Sequence, residues 1–144
     1  MNQDKLKLSP AEAHLLRKNI REMKLKTPQW FELLTNAELA SACNTAKTHH
    51  VSKEVKKALG KLCGFAEEAI LIHRVEYRYS KRFHRVDYYS QDKFHAANRR
   101  LLENAGFLAK TRSSWCSPCR YWRLFLSHHA RHIADEWGYD EWIA

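Results

Sequence analysis

The sequence predicts a mainly helical α+β domain that ends in a β-hairpin and a terminal helix. Three observations predict it. Apolar residues recur at helical spacing over most of the chain, as in Leu15, Leu16, Ile20 and Met23, the pattern of an amphipathic helix. Capping signals precede those runs, with Ser or Thr followed three residues later by Glu. Near the C-terminus, the turn-prone SSWCSPC leads into Arg120–Ser127, RYWRLFLS, whose aromatic and branched composition suits a strand.

The elements follow in order. Ser9-Pro10-Ala11-Glu12 opens the first helix: Ser9 caps it, Pro10 suits the first turn and Glu12 completes a capping box. Thr27-Pro28 restarts a short helix through Trp30, Phe31 and Leu34. Thr35-Asn36-Ala37-Glu38 is a second capping box, opening a helix to about Cys43, and residues 44–51 read as a loop. Ser52 caps a helix with Val55, Leu59 and Leu62 on one face, closed by Gly64. Residues 66–83 carry two patterns at once. Leu71, Ile72, Val75 and Tyr79 suit a helix, whereas Val75, Tyr77, Tyr79 and Phe83 alternating with Arg74, Glu76, Arg78 and Arg82 suit a strand. The lack of Gly, Pro or Asn in the run favours the helix. His84–Tyr89 reads as a short strand. Ser90 caps a helix to about Asn104, with Phe94, Ala97, Leu101 and Leu102 inward and Gly106 as its stop. FLAKTR (107–112) and RYWRLFLS then supply the hairpin arms. The terminal helix carries Ala130, Ile133, Ala134 and Trp137 on one apolar face.

Length and composition bound the function. The 144 residues, 44% hydrophobic and 12% aromatic, suffice for one folded domain over 1–144 and exclude a disordered chain. No apolar run is long enough to span a bilayer, and the first residues lack the apolar core of a secretory signal. The four cysteines, Cys43, Cys63, Cys116 and Cys119, are irregularly spaced, which suits a reduced, cytoplasmic protein. The net charge is +9 and unevenly spread. Residues 133–144 hold four acids and no base, so 25 cations face 12 acids in the rest of the chain. Such a body attracts polyanions at range, nucleic acid first among them.

The passage DKFHAANRRLLENAGFLAKTRSSWCSPCRYWRLFLS resembles the second half of winged helix-turn-helix DNA-binding domains. EEAILIHRVEYRYSKRF is similar to the first helix of such domains in plasmid and phage replication or regulatory proteins. The resemblance covers about residues 67–127 and divides the chain into an N-terminal helical part (1–65), a winged-helix-like part (66–127) and a C-terminal helix with an acidic, aromatic tail (128–144). It implies a helix in the major groove and a basic hairpin on the neighbouring backbone. With Phe94, Ala97 and Leu101 inward, Asn98 and Arg99 are the expected base readers, since Asn pairs bidentately with adenine and Arg with guanine. Lys93 and Arg100 are expected on phosphates, joined by Lys110, Arg112, Arg120 and Arg123 around the hairpin. The function expected is a double-stranded DNA-binding regulator of transcription or replication from a mobile element, acting as a two-fold dimer through Trp137 and Trp142 of the tail. The alternative is another non-enzymatic macromolecular binder, a host-machinery inhibitor or an RNA-binding accessory protein, in which Tyr77, Tyr79, Tyr88 and Tyr89 stack on bases.

One motif competes with the hairpin. Cys116-x2-Cys119-x8-His128-x3-His132 has the order and pair spacings of a structural Cys2His2 zinc site. An extended strand over 120–127 spans roughly 25 Å and holds the two ligand pairs apart. The expectation is therefore no cofactor, with zinc at those four residues as the alternative. The chain contains no G-x-S-x-G, P-loop or H-E-x-x-H sequence, and no enzyme is expected.

Overall fold

The computed structural model describes residues 8–44, 50–59, 66–83, 91–112 and 117–143, and every regular element among them is helical. α1 spans Pro10–Met23. The Ser9 side chain accepts the Glu12 amide N–H at 3.2 Å, and the Glu12 carboxylate accepts that of Ser9 at 2.9 Å, so the first capping box forms as read. α1 ends on Lys24 in the left-handed region, φ 56° and ψ 41°. For a residue with a Cβ this costs about 1–2 kcal/mol. The Leu25 N–H reaches back to the Ile20 carbonyl at 3.1 Å, and Leu25 is buried, so the helix end closes over an apolar contact that offsets the cost. A 3-10 turn, Gln29–Leu33, follows Pro28 and buries Trp30 and Phe31.

α2, Asn36–Asn44, starts from the second capping box, with reciprocal Thr35–Glu38 bonds of 3.0 and 3.1 Å. α3 is His50–Leu59. It begins before Ser52, which therefore lies inside the first turn rather than at the cap; Leu62 and Gly64 fall outside the described residues. α4, Glu67–Phe83, is helical where the sequence allowed two periods. The reason is its place in the fold. It packs against α2 and α3 and against two elements still to come in the chain, and Ile72, His73, Arg74, Val75, Glu76 and Tyr77 are all buried in succession. The buried run takes in the charged Arg74 and Glu76, so charge does not mark the exposed face there and the local pattern mimics a strand. The expected strand at His84–Tyr89 lies outside the described residues.

The winged hairpin is not present, and the mainly α, α+β expectation is corrected to an all-helical architecture among the described residues. α5, Gln91–Arg112, runs straight through Gly106, so FLAKTR is its last part. α6, Ser117–Trp137, is one helix that contains all of RYWRLFLS. Two physical facts override the local signals. The inward stripe of α5 does not end at Asn104: Phe94, Asn98, Leu101, Ala105 and Leu108 are all at most 1% exposed and continue at helical spacing past the glycine. A mid-helix Gly costs about 1 kcal/mol relative to Ala, less than burying a leucine returns. In α6, the fully buried Ser127, Ala130 and Ala134 are small and helically spaced. They let α6 lie close against α3 and α5, with which it packs; tertiary contact decides over strand composition. The fold implied by the winged-helix resemblance is overturned with the hairpin.

After Gly138, a short α7, Tyr139–Ile143, folds the tail onto the core. Trp142 is 3% exposed and meets the Tyr77 ring edge-on at 5.1 Å and the Phe94 ring at 5.9 Å. Among the described residues, no helix is long and apolar enough to cross a membrane.

Candidate functional site

α5 is the helix expected to read DNA. Asn98 is 0% exposed. It stands four residues after Phe94 and three before Leu101, on the inward stripe rather than beside it. Its carbonyl oxygen accepts from Tyr77 Oη at 3.1 Å and lies 2.7 Å from His73 Nε2. Its amide nitrogen donates to Asp135 Oδ1 at 2.8 Å. With donor and acceptor both committed inside the protein, Asn98 cannot read an adenine. Arg100 is likewise spent: its Nε lies 3.0 and 3.1 Å from the two carboxylate oxygens of Glu76, and its Nη2 donates to the first of them. Glu76 is 1% exposed. Burial pushes its carboxyl above the usual carboxylate range, and the Arg100 guanidinium opposes that shift.

The polar seam extends across three helices. Asp135 Oδ1 on α6 also lies 3.1 Å from His95 Nδ1 on α5, and Asp135 Oδ2 is 3.5 Å from Arg131 Nε. An imidazole N–H next to a carboxylate donates to it, so Asp135 orients the His95 ring. His95 and Asp135 thus form an oriented pair, half-exposed to solvent. Among the described residues no hydroxyl or thiol is hydrogen-bonded to His95, so no nucleophile completes a triad. The seam locks the rotation of α5: with Asn98 held inward, Arg99, Phe107 and Lys110 are turned outward and exposed.

Charge is partitioned in the same way. Arg17 is buried and donates to the carbonyls of Phe31 at 3.1 Å and Leu34 at 2.6 Å. Arg74 is buried and donates to the Cys43 carbonyl at 3.1 Å. Both satisfy the ends of other helical elements and are lost to any partner. On the surface, Arg21 pairs with Glu32, Arg82 with Glu38, Lys26 with Glu103 at 2.7 Å and Lys57 with Glu54 at 3.4 Å. The arginines hold Glu32 and Glu38 below the usual carboxylate range, their hydrogen bonds being the main cause. The positive excess therefore rests on other cations. Lys24, Lys53, Arg78, Lys93, Arg99 and Lys110 have no carboxylate partner among the described residues. Arg99 and Lys110 share one outward stripe of α5, about 16.5 Å apart at the helical rise.

Arg112, Arg120 and Arg123 lie on α5 and α6 rather than on a hairpin, and their side chains are outside the described set. Cys116 is outside it as well. Cys119 and His128 both belong to α6, where nine residues of helix hold them about 13.5 Å apart. One ion cannot take both, so the four-residue zinc arrangement does not assemble. His128 and His132 are exposed. Of the two tail tryptophans proposed for a dimer contact, Trp142 is consumed by the core, and Trp137 is 62% exposed.

Sequence reasoning missed His73, Glu76, His95 and Asp135. A signal for part of the seam was available: His73 and Tyr77 are four apart on α4, and Asn98 interrupts an otherwise apolar stripe. No family model, curated protein or solved structure matches the chain.

Proposed function

We propose that the protein binds double-stranded DNA chiefly through its phosphates and acts as a non-enzymatic regulator of transcription or replication. The observation that carries this reading is the partition of charge. Carboxylates of the helical body are largely matched by cations, while Arg78, Lys93, Arg99 and Lys110 are left over. Unmatched cations on a rigid body release counterions from a duplex, which drives association without reading sequence. Arg99, outward on α5, is the one expected base reader still available for a guanine edge. With Asn98 removed from that role, sequence preference is modest.

A second reading, docking to a protein partner, is favoured by Phe125 and Trp137, 57% and 62% exposed on α6. Salt separates the two. Fluorescence anisotropy of a labelled short duplex should show affinity falling linearly on a log–log plot against salt. Arg99→Ala and Lys110→Ala should each shallow that slope by roughly 0.9. A flat salt response, or variants that bind like the parent, refutes the phosphate reading.

A further inference from the structure

His128 and His132 stand one turn apart on α6, and both are exposed. Side chains four apart on a helix have their Cβ atoms about 5–6 Å apart, close enough for two imidazoles to hold one ion at about 2.0–2.1 Å. The Glu136 carboxylate lies 3.3 Å from His132 Nε2. A carboxylate that accepts the hydrogen of one ring nitrogen fixes the tautomer and leaves the other nitrogen as ligand. Among the described residues no three His, Cys, Asp or Glu side chains converge on a common point, so this helix supplies two ligands where tetrahedral zinc takes four.

The surroundings say what completes the set. The outward stripe of α6 formed by Phe125, His128, His129, His132 and Glu136 carries no lysine or arginine, although the protein has a net charge of +9. Two copies approaching through this stripe avoid the repulsion they meet elsewhere. Phe125 is 57% exposed, and its ring stacks with that of His129 at 6.4 Å and 12°, an apolar contact that such an approach covers. A two-fold axis presents the same residues from both sides. We infer that His128 and His132 form half of a divalent-metal site, zinc being the best-matched ion, and that a second copy of this chain supplies the same two histidines to close it. The metal bridges a dimer through α6. This inference does not depend on DNA binding.

The test uses the full chain, stripped with chelator, and zinc alone as the probe. Sedimentation should give a mass of 17.0 kDa in chelator and twice that with zinc, at one zinc per two chains in a chelator-competition titration. The double variant His128→Ala, His132→Ala should stay monomeric with zinc. His14→Ala, at an exposed histidine on α1 rather than α6, should still double in mass. Circular dichroism confirms that the variants are folded. Absence of a zinc-dependent mass change in the parent overturns the inference. So does doubling that survives in the double variant, which would move the metal to other residues, and so does one zinc per chain without association.

Discussion

Arg100→Met should destabilise the protein by about 3 kcal/mol at neutral pH. The Arg100 guanidinium makes its contacts to Glu76 through Nε and Nη2. Glu76 is 1% exposed, while the Arg100 side chain keeps 24% of its surface in water. Removing one partner of a buried pair costs about 3–5 kcal/mol, because the other charge is left without compensation. Some solvent reaches this pair, which places the cost at the lower end. Methionine keeps the apolar length of the arginine stem, so the loss reports charge more than packing. With urea dependence of about 2 kcal/mol per molar, the unfolding midpoint falls by about 1.5 M. The pH dependence is the sharper test. Burial raises the Glu76 carboxyl above its ordinary 4.5, and loss of Arg100 raises it further. A carboxyl raised in the folded state favours folding below its unfolded value and loses that contribution as pH rises through the folded value. The penalty of Arg100→Met relative to the parent should therefore be largest at pH 7 and shrink on acidification towards 4.5. Adding Glu76→Gln removes the stranded charge and should restore most of the loss at pH 7. Urea unfolding followed by circular dichroism at pH 7.5 and pH 5 decides. A penalty equal at both pH values, or no recovery from Glu76→Gln, refutes the reasoning.

Two further outcomes follow from the same interior. Asn98→Ala strips partners from His73, Tyr77 and Asp135 together and should cost about 2–3 kcal/mol in thermal or urea unfolding; a change below about 0.5 kcal/mol would show that the seam contributes nothing to stability. Cys43 is 5% exposed, and burial pushes its thiol up to about 12. It should resist iodoacetamide at pH 8 in the native protein and react once urea is added, as read by peptide mass mapping. Native labelling at the rate of a free cysteine would contradict its placement.

Local chemistry was legible wherever one side chain settles its own geometry. Ser9 with Glu12 and Thr35 with Glu38 form their capping boxes because the donors and acceptors lie within a few residues of each other. The sequence likewise showed His128 and His132 turned away from Ala130 and Ala134. It failed at Gly106, at RYWRLFLS and at Asn98, for a common reason. Local residue type points one way at each, whereas its state depends on what lies across a helix interface. Gly106 continues a helix because Leu108, beyond it, is buried.

By itself, the sequence determined the helix starts at Ser9 and Thr35, the basic excess and the apolar stripes that make a core possible. Those properties are local or additive, and need no neighbour to be defined. Only the tertiary structure decided that α5 and α6 are long helices rather than a helix and a wing. It also decided which polar side chains are spent: Arg17 and Arg74 on carbonyls, Arg100 on Glu76, and Asn98 within a polar seam of three helices. An arginine's charge is written in the sequence, but its availability depends on whether the fold brings a carbonyl or carboxylate within about 3 Å of it. The partners here lie 14 to 37 residues away, too far for local pattern to reveal.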